Sequence, residues 1–147
     1  MGTISKNFSW SEFENSPTAK AKGILNVINT FVIRDSVQAL VLKVLQPLRD
    51  LYRKPMSVNS GYRCPALNKA VGGAASSQHM KGEAADIHTG NHTESYRLAR
   101  LAKTTPEIMK EIDQMILYPT FVHFSHKLNG KNRNQILYNK SYKGRRV

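Results

Sequence analysis

Apolar residues recur at intervals of three and four between Asp35 and Tyr52: Val37, Leu40, Val41, Val44, Leu45, Leu48, Leu51 and Tyr52. That period marks a helix with one buried stripe. The spacing predicts a helix over 35–52, capped by Asp35 or Ser36 and kinked at Pro47. Ser9-Trp10-Ser11-Glu12 is a capping-box pattern, so a short helix is predicted from Trp10. It should end at Ser16-Pro17-Thr18, where a polar loop begins. Ile24, Val27, Ile28 and Phe31 suggest one further helical turn. Residues 65–70 and 94–103 read as short helices, the second capped by Thr93. Thr105-Pro106-Glu107 opens another, and Pro65 and Pro106 stand at first-turn positions. Elsewhere strand patterns replace the helical period. Strands are predicted over 55–59, 84–88, 112–118 and 121–127, with 135–139 as a further candidate. The pattern as a whole gives an α+β fold, a small antiparallel sheet packed against helices. No internal repeat or linker divides residues 1–147, which read as one domain.

Composition bounds this picture. A chain of 147 residues, 40% hydrophobic, suits one core. No apolar run is long enough to span a bilayer. Met1 to Lys6 lacks the basic and apolar regions of a secretory signal, so synthesis in the cytoplasm is expected. The single Cys64 excludes an internal disulfide and reads as a packed thiol.

Charge adds a second theme. With 22 Lys and Arg against 10 Asp and Glu, the net charge is +12, which draws a protein to polyanions. No carboxylate side chain follows Asp113, while Lys127, Lys131, Arg133, Lys140, Lys143, Arg145 and Arg146 do. The basic segment 127–147 is either an edge strand protected by its charge or a surface for anionic envelope polymers or a membrane surface. Nucleic acid is the weakest partner: no zinc-finger pattern, recognition helix or RNA motif accompanies the charge.

The densest candidate chemistry is Ser77-Gln78-His79-Met80-Lys81-Gly82-Glu83-Ala84-Ala85-Asp86. Imidazole and carboxylate are both zinc ligands, and Gly82 permits a turn between them. His123, alternating with apolar residues in Phe121-Val122-His123-Phe124-Ser125, offers a third ligand. Three protein ligands leave one position of a tetrahedral Zn²⁺ open, as in catalytic sites. His88 shares the strand face of Asp86 and is a candidate either to support the ligands from behind or to substitute for one of them. His92 and His126 have no supporting motif and are expected at the surface. Trp10 is either a core anchor or a sugar platform.

The pattern S-x-H-x-x-G-x-A-x-D with a later strand histidine resembles the zinc D-Ala-D-Ala carboxypeptidase family. That family includes the vancomycin-resistance D,D-dipeptidases and phage L-alanyl-D-glutamate endopeptidases. Ser60-Gly61-Tyr62-Arg63, Asn68 and Gly72-Gly73 match supporting segments of the same family. The likeness runs from about Phe8 to about Ser125 and is strongest to small phage members. It implies a hedgehog/D,D-peptidase-like fold and one Zn²⁺ per chain held by His79, Asp86 and His123. It implies hydrolysis of peptidoglycan stem peptides or cross-links, and a monomeric lytic enzyme acting on the host wall. Arg63 would bind substrate or stabilise an oxyanion, Ser77 either orients the His79 loop or bonds the substrate, and Gln114 is a further substrate contact. The general base departs from the family pattern: Thr120 stands three residues before His123, and Tyr118 stands where some relatives carry Glu. Asp113 and Glu83 are the nearest carboxylates, and Asp113 is the preferred base. Strand alternation argues otherwise, placing Gln114, Ile116 and Tyr118 on the His123 face and turning Asp113 away. Two rival functions remain: a zinc-bearing wall-binding module without turnover, and a basic nucleic-acid-binding domain.

Overall fold

The long amphipathic helix begins four residues before its predicted start. The structure, a computed structural model, describes residues 2–147. In it Thr30 caps α3 (Phe31–Leu40), accepting a hydrogen bond from the Ile33 amide. Val41–Leu45 forms one π-helical turn, and α4 (Gln46–Tyr52) completes the rod. The predicted kink takes the form of this wider turn. Pro47 has no N–H, and in an α-helix its ring would crowd the carbonyl of Lys43. The Gln46 amide bonds instead to the Val41 carbonyl, five residues back. The stripe Val37, Leu40, Val41, Val44, Leu45 and Leu48 is fully buried. Each such side chain contributes about 2 kcal/mol of transfer free energy.

Before the rod come β1 (Thr3–Ser5), β2 (Phe8–Ser9), α1 (Trp10–Glu14) and α2 (Pro17–Lys22). The capping box at Ser9 and Glu12 is present. Pro17, predicted to open a polar loop, is instead the first residue of α2, where its missing N–H costs nothing. Ser16 caps α2 and Gly23 ends it with φ +65°. No helix covers 24–28, and Phe31 is exposed. Trp10 is a core residue, 3% exposed, with the Arg34 guanidinium over its ring at 4.3 Å.

Beyond the rod lie β3 (Val58–Ser60), α5 (Pro65–Ala70), a 3₁₀ turn (Gln78–Lys81), β4 (Ala84–His88), α6 (His92–Lys103) and α7 (Pro106–Met109). β5 (Gln114–Leu117), β6 (Phe121–Ser125) and β7 (Gln135–Tyr138) follow. Asn91, rather than Thr93, caps α6. Five strands form one sheet in the order β3-β4-β6-β5-β7. All pairings are antiparallel except β5 with β7, so the sheet is mixed where an antiparallel one was expected. Alternation divides its faces. Ala85, Ile87, Met115, Leu117, Val122 and Phe124 join a core that includes Leu98, Ala99 and Ala102 of α6 and the rod's stripe. Asp86 pairs with His123, and His123 with Ile116, on the other face.

The basic segment is packed as well as charged. Tyr142 is 8% exposed and belongs to the core, and Val147 packs against it. No helix among the described residues is long and apolar enough to cross a membrane.

Candidate metal centre

The direct pairing of β4 with β6 fixes the centre of the site. Asp86 and His123 are register partners, so their side chains leave one sheet face side by side, His123 Nδ1 lying 2.8 Å from Asp86 Oδ1. His79 comes from the 3₁₀ turn, with its Nε2 at 3.5 Å from the same oxygen. One ligand atom from each of the three lies within 4.8 Å of the others.

The turn is built to aim His79. Ser77 Oγ accepts a hydrogen bond from the His79 amide. Gly82 closes the turn at φ +73°, and a Cβ there would lie 2.7 Å from the Ile33 carbonyl of α3. His79 Nδ1 is 2.7 Å from the Gly61 carbonyl. A carbonyl only accepts, so Nδ1 carries the proton and Nε2 presents its lone pair to the cluster. Gly61 has no room for a side chain, since a Cβ would meet Phe13 at 2.7 Å.

The segment Ser60 to Arg63 brings a cation alongside. Arg63 Nε donates to Ser60 Oγ at 3.0 Å, and one terminal nitrogen donates to Asn68 Oδ1 at 3.3 Å. The other stands 3.7 Å from Asp86 Oδ2. Asn26, absent from the sequence reasoning, clips this segment in place. Its amide donates to the Glu14 and Tyr62 carbonyls, and its Oδ1 accepts from the Cys64 amide. No local pattern around Asn26 marks it, because its partners lie 12 to 38 residues away.

Burial raises the Asp86 carboxyl pKa, but hydrogen bonds and charges from His123 and His79 outweigh it and hold the group well below the usual carboxylate range. Tyr118 lies on the same sheet face, stacked on Phe121 with ring centroids 4.1 Å apart. Burial and the charge of Asp86 raise its phenol pKa against the opposing pull of Arg63, so it keeps its proton at neutral pH.

The remaining predicted residues are placed differently. Gln114 shares the His123 face, but its amide is bonded to Gln135 at 2.9 Å. Asp113, expected as the base, is fully buried on the opposite face, as alternation requires. Arg133 binds both its oxygens, with Nε at 3.0 Å and a terminal nitrogen at 2.8 Å, and Gln78 donates to it at 3.1 Å. These contacts, Arg133 foremost, lower its pKa to about 2. Glu83 contacts Gln78 at 3.4 Å and is not one of the clustered ligands. His88 is exposed at the end of β4. His126, expected at the surface, is 2% exposed, and its Nδ1 donates to the Glu111 carbonyl at 2.6 Å. Its position beside Phe124 and Val122 in alternation puts it on the core face. His92 is half-buried rather than exposed.

Zinc bonds of about 2.0–2.2 Å put tetrahedral ligand atoms roughly 3.3 Å apart. The 3.5 and 2.8 Å separations around Asp86 Oδ1 bracket that value. Two imidazoles and an ionised carboxylate therefore fit a zinc ion, with three protein ligands as in single-metal hydrolytic sites. The chain belongs to the peptidase M15 family, whose profile matches residues 6–125. Over 38 residues it is 50% identical to the zinc D-Ala-D-Ala carboxypeptidase of Streptomyces albus G. That stretch is 26% of this chain and 15% of the relative's length.

Proposed function

We propose that the chain is a zinc peptidase that hydrolyses peptide bonds in peptidoglycan stem peptides or cross-links, as a D-Ala-D-Ala-type carboxypeptidase or endopeptidase. The observation that carries this reading is the His79, Asp86 and His123 cluster with the Arg63 guanidinium beside it. One zinc per chain, held by those three residues, would polarise the scissile carbonyl and activate water. Arg63 is held by Ser60 and Asn68, so its charge is preorganised for a substrate carboxylate or a developing oxyanion. Tyr118 donates a hydrogen bond to that oxyanion from the same face. Ser77 holds the His79 turn, and Gln114, on the His123 face, would contact substrate. The small basic chain suits a phage-type lytic enzyme, made in the cytoplasm and acting on the host wall.

A second reading has its own support. The only carboxylate in the metal cluster is Asp86, so a wall-binding module that holds zinc without turnover fits the same side chains. One experiment separates the two. Zinc-loaded protein is incubated with purified peptidoglycan and the released peptides are weighed by mass spectrometry. Hydrolysis should release D-Ala or open cross-links, and His123→Ala should abolish release and lower bound zinc. Zinc retained by the wild type without any released peptide would favour the binding module.

A further inference from the structure

A cavity of about 590 Å³, lined by neither Asp86 nor His123, opens between α6 and the C-terminal segment. Thr93, Tyr96 and Arg97 form one wall, and Lys143, Gly144 and Arg145 the other. His92 also lines it, and its buried Nε2 has no hydrogen-bond partner among the described residues. Three lining residues are cations and none is a carboxylate. Glu94 lies nearby, 3.5 Å from Arg97, but it is also bound by Lys54 at 3.0 Å and by Tyr52. Its single charge is thus divided between two cations. Lys143 and Arg145 are exposed and face no acidic partner among the described residues.

The walls are fixed. Tyr142 is buried, stands 5.4 Å from the His92 ring, and its hydroxyl donates to the Arg145 carbonyl. The Arg145 guanidinium lies 4.8 Å from the centre of the Tyr96 ring. The cavity opens at the first turn of α6, where backbone amides add positive potential.

We infer that this cavity is a binding site for the phosphate groups of a phosphodiester-linked polyol polymer. A lining of three cations, offset only in part by Glu94 beside Arg97, selects an anion. The volume admits a phosphate together with the polyol unit attached to it. Single-stranded nucleic acid binds on aromatic faces as well as on charge. Here one face of Tyr96 is covered by Arg145, and Tyr142 packs among His92 and Tyr138. None of the exposed large apolar side chains lies in the lining, so nothing there inserts into a bilayer. The choice of a wall polymer over other phosphodiesters rests on the proposed peptidoglycan activity; the cavity's preference for phosphate does not.

The test is titration calorimetry of the full chain with poly(glycerol phosphate) at low salt. Lys143→Gln combined with Arg145→Gln should weaken binding at least tenfold, and the slope of log K against log salt should fall by roughly one to two. Lys143→Gln alone should show part of the loss. It breaks no hydrogen bond or ion pair among the described residues, and a thermal melt matching the wild type shows that the loss is not misfolding. Lys20→Gln with Lys131→Gln removes equal charge from the exposed surface elsewhere and should change affinity less than twofold. An equal loss in both double variants would overturn the inference in favour of diffuse charge. Tighter binding to an oligothymidylate or to phosphatidylglycerol vesicles than to the polymer would overturn it in favour of those partners. The measurement involves no hydrolysis, so a failed peptidase assay and a failed binding titration are distinguishable: the first removes the ground for a wall polymer, the second the phosphate site itself.

Discussion

Asp113 and Tyr118 are five positions apart along β5 and its extensions, so they leave opposite faces of the sheet. Asp113 is held by Arg133 and Gln78, whereas Tyr118 shares the face of Asp86 and Arg63. Their substitutions should therefore separate cleanly. Tyr118→Phe is expected to lower peptidoglycan turnover by roughly 10²–10³, the usual loss for an oxyanion donor, with zinc retained. Asp113→Asn should leave turnover within a few-fold but cost about 2 kcal/mol of stability through lost charged hydrogen bonds. The pH dependence has a definite sign. A carboxyl with pKa lowered from 3.8 to about 2 stabilises the fold above pH 4, and that contribution is lost as pH falls from about 4 to about 2. Acid unfolding followed by near-ultraviolet circular dichroism should show a shallower slope for Asp113→Asn over that window. A turnover loss above a hundredfold in Asp113→Asn would return it to the chemistry. At this scale the site was legible wherever alternation decides facing, as for His123 and Tyr118. Asn26 was not, because all its partners are distant in sequence. His126 was missed for want of a motif, although strand parity alone puts it beside Phe124.

The elements that carry the site are short, and their ends matter more than their middles. The His79 turn is one 3₁₀ helix, capped by Ser77 and closed by Gly82 against the start of α3. Gly82→Ala combines a left-handed backbone with a Cβ 2.7 Å from a carbonyl oxygen. It should cost about 1–3 kcal/mol of stability and weaken zinc binding, since the turn sets where Nε2 points. Urea unfolding and a zinc titration check both parts; unchanged values would mean that the turn tolerates a side chain and does not orient His79. Local signals predicted elements well where one interaction dominates, as in the Ser9 box or Pro65 and Pro106 at first turns. They failed where a residue has two local uses. Pro17 reads equally as a helix breaker and as a helix opener, and the Ser16 cap decides for the opener. The start of the long helix was misplaced because Phe31 and Val32 are exposed and interrupt the apolar stripe that periodicity follows. The π turn directly precedes Pro47, whose ring an unbroken α-helix would crowd, and periodicity carries no sign of it.

Across the whole molecule, the C-terminal segment joins two roles that the sequence showed only as charge. Its cations are outside, yet Tyr142 is buried, Val147 packs against the core, and the Val147 amide donates to the Tyr138 hydroxyl at 2.9 Å. β7 meanwhile closes the sheet by pairing in parallel with β5. Hydropathy could not reveal this, because one buried and one half-buried side chain among many Lys and Arg make no stripe. The consequence is that deletion and charge removal are different experiments. Deleting residues 140–147 takes Tyr142 out of the core and should cost about 3 kcal/mol, the scale of losing a buried aromatic, which at this size lowers Tm by roughly 6–12 °C. Replacing Lys140, Lys143, Arg145 and Arg146 with Gln keeps Tyr142 and Val147. It removes the stacking of Arg145 on Tyr96 and of Arg146 on Tyr138, worth about 0.5–1 kcal/mol each. The four-Gln variant should therefore remain folded while its association with purified cell walls weakens and loses most of its salt dependence. Pelleting assays at two salt concentrations, read beside thermal melts, distinguish the outcomes. Unchanged wall association in a folded four-Gln variant would leave the segment a structural strap whose charge only protects the sheet edge.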